Sequence, residues 1–121
     1  MDSRRQSKVN RLLQKEISEF FQRNAHYGNG ALITVTEVKI TSDLSIARVY
    51  LSLIGTKNPQ QVIDKVVEKT SSIRGEIGTL LRNQLRKIPE FHFFLDETAQ
   101  YAQNIGKIID NLDIPPEDNE S

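Results

Sequence analysis

Apolar residues near the start of the chain recur with the spacing of one face of an α-helix. Residues three and four positions apart fall on the same side of a helix, so the stretch from Ser3 to about Asn24 predicts a first helix packed on a core. Its apolar stripe consists of Val9, Leu12, Leu13, Ile17, Phe20 and Phe21. The sequence Tyr27-Gly28-Asn29-Gly30 then predicts a turn or flexible loop.

Two β-rich runs follow the loop, ALITVTEVKI and IARVYLSL, and the turn-like TSDLS between them predicts a hairpin. In the first run, Ile33 and Val35 occupy one phase of the strand alternation, whereas Val38 and Ile40 occupy the other. A β-bulge near Thr36-Glu37 would restore a single apolar face, because one extra residue reverses the alternation. We therefore expect a bulge in the first strand.

Two helices are predicted after the hairpin. Asn58-Pro59 is a typical helix start, and the second helix follows it with the apolar stripe Val62, Ile63, Val66 and Val67. We expect it to end at Thr70-Ser71-Ser72, where a serine caps the next helix. The third helix is predicted to run to Pro89 with the stripe Ile73, Ile77, Leu80, Leu81, Leu85 and Ile88.

A third strand, FHFFL, and a last helix complete the pattern. In the strand, Phe91, Phe93 and Leu95 share one face, and His92 is interpreted as a strand residue beside the core. The last helix is predicted to carry Ala102, Ile105, Ile109 and Leu112. The order α-β-β-α-α-β predicts a two-layer α+β domain over residues 1–112, with helices on one face of a three-stranded sheet. Residues 113–121, DIPPEDNES, are predicted to be an acidic, disordered tail.

The charges are divided unevenly along a chain whose net charge is zero. Residues 1–95 hold 15 Lys and Arg against 9 Asp and Glu, a net +6, whereas residues 96–121 hold one Lys against 7 acids, a net −6. A basic body with an acidic end often indicates a polyanionic partner, although solvated faces give the same count. The absence of cysteine excludes disulfides and thiolate metal sites.

Two groups of basic residues are candidates for phosphate contacts. Arg4, Arg5, Lys8 and Arg11 crowd the start of the first helix, where the helix dipole disfavours cations. In a continuous third helix, Gly75, Gly78, Arg82 and Arg86 would fall within an arc of about 80°. Bare backbone beside two guanidiniums would let a phosphate chain approach closely. Solvent-facing arginines with tolerated glycines are the alternative.

Gly75-Glu76-Ile77-Gly78 spells the Gly-x-x-Gly with which one class of RNA-binding domain clamps a nucleotide backbone. However, Ile77 lies four residues after Ile73 and four before Leu81, so the helical period continues through the motif. Glu76 also places an acid where a phosphate would lie. The pattern therefore favours a helix over a clamp loop.

Nothing in the sequence favours an enzyme, a metal site or a cofactor site. His26 and His92 have no partner at metal-ligand spacing, and Asp96-Glu97 is interpreted as a helix-start or loop feature rather than a catalytic pair. No apolar run approaches the roughly 18 residues of a membrane span. We therefore expect a soluble cytoplasmic protein.

Three segments together resemble the ribosome-binding factor A family. They are VKITSDLSIARVYLS (residues 38–52), Ile73-Arg74 and LRKIPEFHFFLD (residues 85–96), within a match of roughly residues 5 to 112. The resemblance implies a KH-like (type II) fold in which a helix-kink-helix junction replaces the Gly-x-x-Gly loop, with the kink at Thr70, Ser71 and Ser72. Many family members have Ala-x-Gly at that junction, and this chain departs from the pattern.

The resemblance also implies function. Members of the family are assembly factors, not enzymes; they bind the free small (30S) ribosomal subunit and its 16S rRNA, and they aid late maturation and 5′-end processing, most of all in the cold. We expect a monomer without cofactors, in which Ser42 and Asp43 shape the hairpin turn. The predicted RNA contacts are Arg4, Arg5, Lys8, Arg11, Arg74, Gly75, Gly78, Arg82 and Arg86. The rival interpretation is a protein-binding adaptor that docks through its first or last helix.

Overall fold

The computed structural model describes residues 4–102 and has the predicted order of elements. The apolar periodicity therefore gave the correct type and order of the main helices and strands in this part of the chain. The elements are α1 (Arg4–Arg23), a short 3-10 helix (Ala25–Gly28), β1 (Leu32–Ile40), β2 (Ile46–Ile54), α2 (Pro59–Glu68), α3 (Thr70–Leu81), β3 (Glu90–Leu95) and α4, which begins at residue 97. Most of the predicted last helix and the acidic tail lie outside the described residues.

The three strands form one sheet in the order β1-β2-β3, antiparallel between β1 and β2 and parallel between β2 and β3. The predicted bulge is confirmed. Val35 pairs with Leu51 but Glu37 pairs with Tyr50, so Thr36 is the extra residue. Because of the shift, Ile33 and Val35 before Thr36 face the same core as Val38 and Ile40 after it, and all four are buried.

The core lies between the inner face of the sheet and the helices. The stripe of α1 is buried as predicted except for the partly buried Leu12, and Leu13, Ile17 and Phe20 are wholly inaccessible. Burial of each such side chain stabilises the fold by roughly 1.5–3 kcal/mol. His92 differs from the prediction, since it is exposed on the outer face of the sheet, where its Nε2 lies 3.3 Å from the Glu90 carboxylate.

The third helix is shorter than predicted, because α3 ends at Leu81 and residues 82–89 fold back alongside it. We call residues 82–89 the return segment. The Arg74 guanidinium on α3 donates from Nη2 to the Ile88 carbonyl at 2.6 Å and from Nε to the Pro89 carbonyl at 2.8 Å. Leu85 and Ile88 therefore reach the core from an irregular segment while keeping helical spacing in the sequence. The fold-back brings Glu90 beside β2, where its N–H donates to the Ser45 carbonyl at 2.9 Å.

The kink between α2 and α3 lies at Lys69, one residue before the predicted Thr70, Ser71 and Ser72, which form the first turn of α3. No serine caps α3. Instead, the Thr70 hydroxyl donates to the Val67 carbonyl at 2.7 Å and satisfies one of the last carbonyls of α2. The start of α2 also differs, because Pro59 opens it as predicted but the Asn58 side chain makes no capping hydrogen bond.

Asp96 joins the last described helix to the sheet. Its Oδ1 accepts from the Ala99 N–H at 3.2 Å, as a helix N-cap does, and its Oδ2 accepts from the Thr36 hydroxyl at 2.6 Å. The hydrogen bond from Thr36, followed by that from the Ala99 backbone, lowers the pKa of Asp96 below its ordinary value of 3.8. The predicted helix start at Asp96-Glu97 is therefore confirmed.

We expect Asp96→Ala to lower the free energy of unfolding by about 1 kcal/mol at neutral pH, since a helix cap is lost. Because the pKa of Asp96 is lowered in the folded state, the difference in unfolding free energy between wild type and Asp96→Ala should have its full size above about pH 5. It should shrink as the pH falls below about 4, where the carboxylate becomes protonated. Urea denaturation at pH 7, 5 and 3 measures it. Glu97→Ala, the neighbouring exposed carboxylate, is the control, and an equal loss there would show that the cap has no special role.

Candidate nucleic-acid interface

A groove of about 330 Å³ lies between the start of α1, the hairpin turn at residues 41–45 and the return segment. Four cations line it: Arg5 and Lys8 from α1, and Arg86 and Lys87 from the return segment. Arg5 and Lys8 are three residues apart on a helix and therefore share a face. We call these four residues the cationic rim and the cavity the basic groove.

The floor of the basic groove is apolar. Val9 and Ile40 belong to the buried core, while Leu12, Leu44 and Leu85 pack against that core and remain partly accessible. Part of the groove is therefore lined by residues of the hydrophobic core and by residues packed against it. The floor consists of Val9, Leu12, Ile40, Leu44, Leu85 and Pro89.

Two polar side chains, Asp43 and Gln84, complete the lining. Asp43 shapes the hairpin turn, as predicted: its Oδ1 accepts from the Thr41 hydroxyl at 2.8 Å and from the Ser45 hydroxyl and N–H at 2.7 and 3.1 Å. These hydrogen bonds, that of the Ser45 hydroxyl above all, lower the pKa of Asp43 to about 2. The carboxylate is therefore ionised throughout the neutral range.

The cationic rim is not neutralised by ion pairs inside the fold. Within residues 4–102, side chains of opposite charge approach within 4.0 Å only at Lys39–Glu37 and His92–Glu90, and neither pair lies in the groove. The first turn of α1 also contains no acid, although the helix dipole would favour one there. The rim is therefore a concentration of positive charge that local helix stability does not require.

The structure groups only some of the predicted RNA contacts. Arg5, Lys8 and Arg86 line the basic groove, whereas Arg4, Arg11 and Arg82 are exposed but do not. The predicted arc from Gly75 to Arg86 is wrong because α3 ends at Leu81. Arg86 instead lines the groove together with the start of α1. Sequence reasoning missed Lys87, whose only signal was its position beside Arg86.

Arg74 lies away from the rim with its side chain occupied. Its hydrogen bonds to the Ile88 and Pro89 carbonyls are part of the docking of the return segment. We therefore leave Arg74 out of the proposed contact surface.

The two glycines of α3 have different surroundings. A Cβ on Gly78 would lie 3.3 Å from the Ile88 Cγ1 atom, so Gly78 is explained by the packing of the return segment rather than by RNA. A Cβ on Gly75 would meet nothing within 4 Å. Gly75 as a point of close backbone approach remains a prediction.

We expect Gly75→Ala to raise the free energy of unfolding by up to about 1 kcal/mol, the helix-propensity gain of alanine over glycine. Gly78→Val should lower it by roughly 1–3 kcal/mol, because a branched side chain must displace Ile88. Thermal and urea denaturation of both variants measures the changes. Stabilisation by Gly78→Val would contradict the packing role of that glycine.

A metal-ion cluster and a membrane-spanning helix are two alternatives to a nucleic-acid interface. Within residues 4–102, His, Asp and Glu side chains form no group of three that could hold a metal ion. None of the helices in this range combines the length and the hydropathy that crossing a membrane requires.

Comparison with known proteins agrees with the fold. A crystal structure of ribosome-binding factor A from Thermus thermophilus superposes with a TM-score of 0.62 at 16% identity, covering 74% of this chain and 94% of that one. A second set of Thermus thermophilus coordinates, a homology model of ribosome-binding factor A fitted into a cryo-EM map of a 30S complex, gives a TM-score of 0.54 at 18% identity, covering 78% and 93%. At these identities the likeness shows a shared fold.

Sequence comparison goes further. Ribosome-binding factor A of Christiangramia forsetii is 35% identical over 116 residues, which cover 94% of this chain and 88% of that protein. The protein of the same name from Prosthecochloris aestuarii is 40% identical over 106 residues, covering 87% and 86%. A family model described as Ribosome-binding factor A matches residues 5–109. The chain therefore belongs to the ribosome-binding factor A family.

Proposed function

We propose that this protein binds the free small (30S) ribosomal subunit and contacts its 16S rRNA through the basic groove. The observation that carries the proposal is the convergence of Arg5 and Lys8 with Arg86 and Lys87 in a member of this family. The four cations come from two elements far apart in the sequence, and only the fold-back of the return segment brings them together. Cations around one opening, free of ion pairs within the described residues, suit the phosphates of a folded RNA.

The rim also explains how binding could alter the subunit. A rigid body that fits one arrangement of rRNA better than another shifts the population toward that arrangement by its difference in affinity. The backbone that carries the rim belongs to α1 and to the return segment, whose last two residues are held by Arg74. We infer that the protein acts by binding and not by catalysis, as a cytoplasmic monomer without a cofactor.

Arg4, Arg11 and Arg82 extend the proposed contact surface beyond the groove. Arg4 and Arg11 are exposed on the helix that supplies Arg5 and Lys8, and Arg82 is exposed at the start of the return segment. We assign them to more distant phosphates of the same rRNA. Their individual contributions should be smaller than those of the rim, because they stand singly.

The stage of action that we propose is late maturation of the small subunit, including processing of the 5′ end of 16S rRNA and adaptation to cold. The test is to deplete the protein in its own cells at normal and low temperature. We expect it to sediment with free small subunits rather than with whole ribosomes. We also expect its loss to accumulate 16S rRNA with an unprocessed 5′ end, more strongly in the cold. Normal rRNA ends at both temperatures would refute the maturation role.

A further inference from the structure

The basic groove contains more than phosphate binding requires. Cations alone would hold phosphates, yet this groove has an apolar floor and the carboxylate of Asp43 beside its rim. A carboxylate weakens phosphate binding nearby by charge repulsion, and a hydrogen bond that it accepts from another part of the ligand would offset this cost. The lining therefore points to a ligand with a flat apolar part, N–H donors and anionic ends.

Asp43 is arranged to accept a hydrogen bond from such a ligand. The three hydrogen bonds that it receives in the described part of the chain all end on Oδ1. Because Thr41 and Ser45 bind Oδ1, they fix the orientation of the carboxylate without occupying Oδ2. Because the pKa of Asp43 is lowered to about 2, the group acts only as an acceptor at neutral pH.

The size of the groove limits the ligand. Its volume of about 330 Å³ lies at the lower end of the roughly 300–1,000 Å³ typical of small-ligand sites. That space suits a single nucleotide unit. The helix of a partner protein would instead need a long groove and would gain little from four cations.

We propose that the basic groove holds one unpaired RNA nucleotide, with its base on the apolar floor, its exocyclic amino group donating to Asp43 Oδ2, and its flanking phosphates on the cationic rim. The proposal rests on the proposed function, since it assumes that RNA is the partner. It adds base selectivity. Adenine, cytosine and guanine carry an exocyclic amino group, whereas uracil has carbonyl oxygens on both sides of its one N–H.

The experiment measures the affinity of the full chain for five single-stranded RNA pentamers by fluorescence anisotropy. Four have the sequence UUXUU with A, C, G or U at X, and the fifth is abasic at X. We expect the A, C and G pentamers to bind at least about fivefold more tightly than the other two, because a hydrogen bond to a charged acceptor discriminates by that much or more. Equal affinities for all five would overturn the proposal.

Asp43→Asn is the informative variant. Its side-chain oxygen can still accept from Thr41 and Ser45, so the hairpin turn is retained, while its NH₂ replaces Oδ2. The variant should lose the preference for amino-bearing bases, and uracil should bind it about as tightly as cytosine and guanine, because all three have carbonyl oxygens that accept from an amide. An unchanged preference for A, C and G would overturn the role of Asp43.

Leu44→Ala tests the floor without altering the turn hydrogen bonds of Asp43. It should weaken binding of the pentamers that carry a base, with little effect on the abasic one. If it left every pentamer unchanged but weakened binding to small subunits, the floor would contact a ribosomal protein and the proposal would be wrong.

Failure of this inference can be told apart from failure of the proposed function. Salt-dependent binding to small subunits without base preference would refute only this inference, whereas absence of any binding to small subunits would refute the proposed function.

Discussion

Replacement of the four rim cations by glutamine, in Arg5→Gln, Lys8→Gln, Arg86→Gln and Lys87→Gln together, is expected to reduce the affinity for small subunits by roughly 10²–10³-fold at 0.1 M salt. Each phosphate contact releases counterions, so the slope of log affinity against log salt should become shallower by about 3. The difference between wild type and variant should shrink as the salt concentration approaches 1 M. Filter binding or sedimentation over a salt series measures both quantities.

The matched control removes the same number of arginines and lysines elsewhere. Arg23, Arg48, Lys57 and Lys65 are exposed and lie outside the basic groove. Their replacement by glutamine lowers the net charge equally but should change the slope by less than half as much. Equal losses in both variants would mean that overall charge, and not the groove, attracts the subunit. Affinity that responds little to salt in the wild type would favour a protein-binding adaptor.

The sequence predicted the order of the elements because most apolar residues of each predicted stripe are buried, although Val67 of α2 and Leu80 of α3 are exposed. It also predicted the bulge near Thr36. The apolar residues change from odd to even positions there, and one extra residue keeps all of them on the buried face of the strand. The end of α3 could not be predicted in this way. Leu85 and Ile88 keep the spacing of a helix, yet they pack from a segment that folds back.

The basic groove was only partly predictable for the same reason. Arg86 lines the same groove as Arg5 and Lys8 because α3 stops at Leu81, and the apolar spacing does not reveal that stop. A helix continued to Pro89 would have carried Arg86 away along its axis by about 1.5 Å per residue. The sequence indicated the cations at the start of α1, of which Arg5 and Lys8 line the groove. It did not indicate which cations would join them.

Arg74→Met is expected to lower the free energy of unfolding by roughly 2–3 kcal/mol. The substitution keeps an unbranched side chain but removes two charge-assisted hydrogen bonds, each worth about 1.5–3 kcal/mol before relaxation and solvation offset part of the loss. The Ile88 and Pro89 carbonyls that they hold position the start of β3. Urea denaturation measures the change, and hydrogen exchange at the Glu90 amide should report local loosening.

Arg82→Met is the matched control for this variant, because it makes the same substitution at an exposed position just beyond α3. Its stability should change by less than about 0.5 kcal/mol. Affinity for small subunits separates a structural role of Arg74 from a phosphate contact. At temperatures where Arg74→Met is fully folded, its affinity should fall much less than that of the rim variant and its salt slope should be unchanged, because the rim cations are all retained. Two results together would contradict this role: a loss of stability no larger than that of Arg82→Met, and a loss of affinity with a shallower salt slope. They would mean that Arg74 contacts the RNA and that its two hydrogen bonds do not hold the return segment in place.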